Sequence, residues 1–139
     1  MLAASALSLG GAIYLAYRTR TLVVFDLLDS LHLSWLVMLF RSDNNNNIPE
    51  WVKFSLPDGL WVFTYVVYVG IVYSFKIDRC KFMMAVLPLI GLGSEFLQYV
   101  SVVPGTFDVL DLLAYSLGGL FGLVYINIIQ QLILKRKKV

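Results

Sequence analysis

Charged residues are scarce in this sequence. They make up 14% of its 139 residues, against 59% hydrophobic residues, whereas soluble domains are about 25% charged. A soluble fold of this size has too little interior to hide so much apolar surface, so a bilayer is the expected solvent. Because the apolar runs are continuous rather than alternating, they favour membrane-spanning helices over barrel strands. The sequence therefore predicts an all-α, polytopic helical membrane bundle that forms one domain over residues 1–139.

Cysteine and basic residues are also rare. Cys80 is the single cysteine, which excludes an intrachain disulfide and a cysteine-based metal site. The net charge is +2, so no basic domain is available for nucleic acid, and nucleic acid is not an expected partner. The basic run at residues 135–138 follows an apolar segment, and it suits either a topology anchor or contact with anionic lipid headgroups. Membrane lipids are therefore the first expected partners.

Five apolar segments are expected to be helical, and a polar loop over residues 41–55 separates the second from the third. The first has no basic residue before it and two soon after it, the reverse of a secretory signal, so we expect a retained span. Ser55, Pro57 and Asp58 predict the start of the third helix, and Asp108 predicts the start of the fifth. The segments cover residues 2–17, 21–40, 60–75, 82–103 and 109–134.

The distribution of basic residues predicts the orientation of these segments. If all five span, nine basic residues fall on one side and two on the other, a strong positive-inside bias that puts the C-terminus in the cytoplasm. In the alternative with four spans, residues 21–40 lie along the outer surface, and seven basic residues fall inside against four outside. Five spans are the preferred interpretation. In both arrangements the third, fourth and fifth segments run inward, outward and inward.

The second segment carries a polar group of its own. Asp26, Asp29 and His32 interrupt its apolar run. Within a span they would suggest a proton path. On a helix lying along the membrane surface they form the wet face, opposite an apolar face. We prefer the wet face, and a metal site here would need more ligands than the sequence offers.

Four acidic residues fall in the outer half of the membrane domain in both arrangements. Asp58 begins the third segment, Asp108 and Asp111 begin the fifth, and Glu95 lies roughly 12 Å below the outer end of the fourth. An acid in the first turn of a helix is stabilised by the helix dipole. A carboxylate within a span is energetically costly unless it is paired, hydrated or protonated. A helix dipole alone would therefore not stabilise Glu95. Its simplest structural role is a polar contact between helices, made together with Gln98.

A stripe of polar and then small residues follows one face of the last segment. Asp108, Asp111 and Tyr115 form its outer part, and Gly118 and Gly122 form its inner part. Small residues at this spacing let another helix approach closely, so the two glycines are predicted helix-packing residues. We expect the stripe to pack against the Glu95 face of the preceding helix. The carboxylates would then converge in a pocket that is open to the outside.

Between residues 93 and 122 there is no Lys or Arg, so these acids need another role. Carboxylates without cationic partners can share protons, bind a hard cation, hold the cationic part of a substrate, or act as acid and base. The candidate catalytic residues are Glu95, Asp108 and Asp111. No cofactor is evident, a divalent cation is an open alternative, and enzymatic activity is left open. The candidate ligand-binding residues are Asp58, Gln98, Tyr99, Tyr115 and Ser116.

Part of the C-terminal half resembles the VanZ-like family of small bacterial membrane proteins. The matching residues are Glu95, Gln98, Asp108, Asp111, Ala114, Ser116, Gly118 and Gly122, within residues 91–122. The family usually has Asn where Ser116 stands and often a basic residue just before its first Asp, where this chain has Thr106 and Phe107. The resemblance implies the bacterial cytoplasmic membrane, the cell envelope and a link with teicoplanin resistance.

Three functions are weighed on this basis. The first is an envelope-facing membrane protein whose acidic pocket binds or processes a lipid-linked or amphiphilic ligand. The second is an accessory subunit of a larger membrane complex, which docks through its glycine-faced last helix. The third is a small transporter, and five spans without an internal repeat make it the least favoured.

Overall fold

The structure, a computed structural model, describes residues 1–18, 23–41 and 48–136. Within these ranges the chain is helical and contains no strand, so the all-α prediction is confirmed. The helices are α1 (Leu2–Tyr17), α2 (Val23–Ser30), α3 (Ser34–Phe40), α4 (Glu50–Val72), α5 (Ile77–Tyr99) and α6 (Val109–Arg136).

Three of the described helices are long and apolar enough to cross a membrane. They are α4 and α5 with 23 residues each and α6 with 28, and a span needs about 20 residues. This agrees with the predicted helical membrane protein. The first segment, α1, has 16 residues and falls short of that length. The predicted four or five spans thus exceed the three helices that reach full length.

The second apolar segment does not form one long helix. Its described part consists of α2 with 8 residues and α3 with 7, and His32 between them has a φ of 57°. Neither helix approaches the roughly 30 Å of hydrocarbon that a span must cross. Phe25 of α2 and Val37 of α3 are buried, and the Phe25 ring stacks on Tyr14 of α1 at 6.2 Å. The segment therefore folds against α1.

Helix α4 begins earlier than the sequence predicts. It starts at Glu50, after Pro49, and continues through Pro57, so the predicted cap at Ser55 is wrong and the polar loop is shorter than residues 41–55. Apolar side chains follow Glu50 directly, so the amphipathic pattern of the helix begins earlier in the sequence. The helix tolerates the loss of the one backbone hydrogen bond that a proline inside it cannot donate. Asp58 consequently lies in the third turn, where the helix dipole gives it little stabilisation.

Helices α4 and α6 run parallel and are joined by small residues. A methyl group added to Gly118 would clash with the backbone of Gly59, and one added to Gly122 would lie 2.8 Å from Val66 Cβ. Farther along, Ile126 packs against Gly70 in the same way. The outer part of the stripe meets α5, where Tyr115 packs on Gly91. Its two glycines face α4 instead, so the prediction is wrong for the inner part of the stripe. The reason is that α4 offers its own glycines to a close approach, which larger side chains would prevent.

The other two neighbours of α4, which are α1 and α5, run antiparallel to it. Tyr65 donates a hydrogen bond of 2.6 Å to the Met83 carbonyl of α5. On the other side, Thr64 donates to the Ala3 carbonyl of α1 at 3.2 Å. The ends of the bundle follow from these directions. We call the end where α4 and α6 begin the acidic end, and the opposite end, which carries Lys76, Arg79, Lys81, Lys135 and Arg136, the basic end.

Candidate functional site

The start of α6 is fixed by two carboxylates from different helices. Asp108 caps the helix, because its Oδ1 accepts the Leu110 N–H at 2.8 Å. Its own N–H donates to Oε2 of Glu95 at 3.0 Å. In a capping box this second bond comes from an acid three residues after the cap. Here Glu95 of α5 supplies it instead, so its buried carboxylate ties α5 to the start of α6.

Asp111 lies at the position of the acid in a capping box, but its carboxylate does not accept the Asp108 N–H. It lies three residues after Asp108, and Glu95 already accepts the N–H that Asp111 could reach. Oδ1 of Asp111 is buried and has no hydrogen-bond partner. A buried carboxylate oxygen without a partner is unfavourable. This oxygen can therefore accept a hydrogen bond from a ligand or take up a proton. Nε of Arg18, at the end of α1, is also buried without a hydrogen-bond partner.

Tyr115 connects the acids of three helices. Its hydroxyl donates to Oδ2 of Asp58 at 3.5 Å, and its ring covers Gly91 of α5, where an added methyl group would come within 2.7 Å of the ring. Asp58, Asp111 and Glu95 all lie within electrostatic range of its hydroxyl. Tyr115 thus holds Asp58 on the side of α4 and packs against α5 through Gly91.

Arg18 is a member of this site that the sequence did not reveal. Its Nη2 lies 3.7 Å from Oδ2 of Asp58 and donates to the Phe54 carbonyl at 3.2 Å. Its guanidinium also covers the rings of Tyr14 at 5.7 Å and Phe54 at 5.2 Å. The expectation that the acids have no cationic partner is therefore wrong for Asp58. The four-span arrangement contained the missed signal, since it puts Arg18 and Asp58 on one side.

The ion pair also tests the predicted topology. Five spans would put Arg18 and Asp58 on opposite sides of the membrane, whereas their charged atoms lie 3.7 Å apart. The ion pair therefore does not fit the five-span arrangement and fits the four-span alternative.

We call Arg18, Asp58, Glu95, Asp111 and Tyr115 the acidic cluster. Its members are buried to different degrees: Glu95 is 3% exposed, and the side chains of Asp58 and Arg18 are 15% and 27% exposed. The pocket open to the outside stays a prediction. Asp58 feels the charges of Arg18, Asp111 and Glu95 together. A single guanidinium cannot balance three carboxylates, so the cluster suits a ligand that brings positive charge or a set of shared protons.

The remaining predicted site residues lie at its edge or outside it. Asp108 is held at the edge by its cap. Gln98 is half-buried and packs against Gly105 in the turn before α6. Tyr99 is exposed and its ring packs edge-on against Phe107 at 5.2 Å, and Ser116 is exposed on α6. The structure does not bring Tyr99 or Ser116 to the carboxylates.

Neither polar group of the chain offers a preformed metal centre among the described residues. No three His, Cys, Asp or Glu side chains there are grouped so as to hold an ion. Asp26, Asp29 and His32 are all exposed, and Asp29 accepts a hydrogen bond of 2.6 Å from Ser34. Their positions fit the wet-face interpretation of this segment.

A separate groove lies on another face of α4. It has a volume of about 650 Å³ and is bounded by α1, α4 and α6, without any residue of α5 and without any of the four acids. Its walls are apolar except at Ser5 and Ser55. The Ser5 hydroxyl donates to the Met1 carbonyl, whereas the Ser55 hydroxyl is buried and has no hydrogen-bond partner among the described residues.

Comparison of the chain with family models, curated proteins and solved structures finds no match. The VanZ-like resemblance of residues 91–122 therefore stays a prediction.

Proposed function

We propose that this chain is a membrane protein of the bacterial cell envelope whose acidic cluster binds the cationic part of an amphiphilic or lipid-linked ligand. The observation that carries the proposal is the buried, unpartnered Oδ1 of Asp111 beside Asp58, Glu95 and Tyr115. An ammonium group would supply both the missing hydrogen bond and the missing positive charge. The resemblance of residues 91–122 to VanZ-like proteins supports the envelope and the ligand class.

The proposed roles differ among the acids. Asp111 and Asp58 contact the ligand, Tyr115 orients Asp58, and Arg18 prevents excess repulsion between the carboxylates. Glu95 and Asp108 are positioning residues, because each already has a backbone N–H as partner. Asp111 is the candidate acid or base of the site, since its Oδ1 has no competing bond. This reassigns the catalytic role predicted for Glu95 and Asp108.

The proposed orientation places the acidic end outside the cytoplasmic membrane and the basic end in the cytoplasm. Lys76 precedes α5, Arg79 and Lys81 lie in its first turns, and Lys135 and Arg136 end α6. The positive-inside rule puts these residues in the cytoplasm. Helices α4, α5 and α6 span, and α1 lies against α4. Helices α2 and α3 lie along the outer surface with Leu27, Leu31 and Trp35 towards the lipid, and these side chains are 56%, 57% and 57% exposed in the isolated chain.

The accessory-subunit hypothesis loses one of its supports. It relied on the glycine face of α6 as a docking surface, but Gly118 and Gly122 are buried against α4 within the chain.

The test compares two amphiphiles with the same tail. Binding of dodecylammonium and of dodecanol to the purified protein is measured by calorimetry in an uncharged detergent. We expect the ammonium compound to bind roughly tenfold more tightly, because it forms charge-assisted hydrogen bonds. Asp111→Asn should abolish that difference and leave dodecanol binding unchanged.

Asp26→Asn, which removes an exposed acid outside the cluster, is the matched control and should keep the preference. Equal affinity of the wild-type protein for both compounds would rule out the proposed role of the cluster. So would a preference that survives in Asp111→Asn.

A further inference from the structure

The groove on α4 is a gap in the bundle with defined walls. In the described ranges α1 and α6 each pack against α4 but do not pack against each other, and the gap between them has a volume of about 650 Å³. Ala6 of α1, Phe63 of α4 and Leu117 and Phe121 of α6 are among its apolar walls. The gap opens sideways between the two helices, towards the hydrocarbon of the bilayer in the proposed orientation.

Ser55 gives the groove a polar group without a hydrogen-bond partner. The residue is 3% exposed, and its Oγ has no hydrogen-bond partner. A serine within a helix commonly bonds a carbonyl of the preceding turn, and this one does not. Trp51, one turn closer to the acidic end, lines the same part of the groove. The hydroxyl is thus left for a group that enters from outside the chain.

We propose that this groove binds one acyl chain of a membrane lipid, whose ester carbonyl accepts a hydrogen bond from the Ser55 hydroxyl. The tail extends from Ser55 towards Phe63, a rise of roughly 12 Å along α4. Trp51 lies where the tail meets the polar part of the lipid, the depth that tryptophan prefers in membrane proteins.

The apolar lining of the groove suits an acyl tail. An extended methylene chain needs no polar partner along its length. Because surrounding lipid tails are as apolar as the groove, a retained lipid must be selected by shape and by the Ser55 hydroxyl.

The inference rests on the proposed placement of α4 and α6 across a membrane, but not on the acidic cluster. The test uses the whole chain, reconstituted with phosphatidylcholine and phosphatidylglycerol, purified again in detergent and examined by native mass spectrometry. We expect one stoichiometric phospholipid to remain bound. Ala6→Phe and Leu117→Trp fill the groove from α1 and from α6, and each should lose the lipid.

Two substitutions of the same kind control for changes in folding and solubility. Ala4→Phe and Leu120→Trp place the same new side chains on α1 and α6 outside the groove, and both should keep the lipid. Ser55→Ala should weaken retention roughly fivefold, the effect of one hydrogen bond. Circular dichroism checks that every variant is helical.

Three results would overturn the inference. The first is a wild-type protein without bound lipid, and the second is a lipid that both filling variants retain. The third is a dimer that the filling variants dissociate, which would assign the groove to a second copy of the chain. Asp111→Asn should retain the lipid. A failure of the lipid-binding proposal can therefore be distinguished from a failure of the proposal for the acidic cluster.

Discussion

Arg18 and Asp58 form an ion pair of 3.7 Å between the end of α1 and the third turn of α4. The pair joins the first helix of the chain to the membrane core at the level of the other acids. Arg41 extends the connection, since its guanidinium donates to the Arg18 carbonyl at 3.0 Å. The acidic end is thus held together by basic residues that are distant in sequence.

Arg18→Gln should lower the free energy of unfolding by about 1–2 kcal/mol, between the values for exposed and for buried ion pairs. The loss arises because the largely buried Asp58 loses its cationic partner. Asp58→Asn in the same chain should recover part of it. Thermal unfolding in detergent measures both effects, with Arg79→Gln at the basic end as control. Equal stability of Arg18→Gln and Arg79→Gln would contradict the role of the pair.

Glu95→Leu should loosen the start of α6. It removes the acceptor of the Asp108 N–H, and an unpaired buried donor costs roughly 1–3 kcal/mol. Hydrogen exchange should become faster at residues 108–112 and remain unchanged in the rest of α6. Glu95→Gln keeps an acceptor oxygen and should have a smaller effect. Leu89→Ala, at an exposed position of α5, serves as control, and unchanged exchange in Glu95→Leu would argue against the shared cap.

Gly118→Ala should separate α4 from α6, because its methyl group meets the backbone of Gly59 rather than a movable side chain. We expect a loss of roughly 1–3 kcal/mol, as for overpacked cores. Gly93→Ala is the matched control, since nothing lies within 4 Å of the added methyl group. Thermal unfolding should show Gly118→Ala below the wild-type protein and Gly93→Ala at or slightly above it. Two unchanged variants would disprove the close approach.

Cysteine labelling tests the orientation of the ends. In a Cys80→Ala background, Glu50→Cys and Asp26→Cys should react with a membrane-impermeant maleimide added to whole cells. Asp78→Cys should react only after the cells are permeabilised. Labelling of Asp78→Cys in intact cells would reverse the orientation. If Asp26→Cys is not labelled in whole cells, residues 21–40 lie inside or across the membrane.

The helical class and the start of α6 could be read from the sequence. Continuous apolar runs require helices in a bilayer, and the Asp108 cap depends only on neighbouring residues. The start of α4 could not be read, because Pro57 is a usual first-turn residue and here stands inside a helix. A local rule fails when packing on both sides of the proline stabilises the longer helix.

The composition of the acidic cluster was predictable only in part. The spacing of Asp108, Asp111 and Tyr115 indicates one face, and Glu95 indicates the facing helix. The partner of the glycine face depends on which neighbour also has small residues, a property of pairs rather than of one segment. Arg18 was missed because its side of the membrane depends on whether residues 21–40 span, and one span more or fewer reverses it.

The contact between Gly59 and Gly118 also determines the order in which the protein can assemble. The two helices that approach most closely are separated in the chain by α5, and they run parallel because α5 returns across the bundle. Until α6 is synthesised, Gly59 and Gly70 of α4 face lipid. The carboxylate of Glu95 then has no backbone N–H from which to accept a hydrogen bond. A chain that ends before α6 therefore lacks both the close contact between α4 and α6 and the cap to which Glu95 contributes. Helix α6 thus completes the interior of a bundle in which α1, α4 and α5 are already in place.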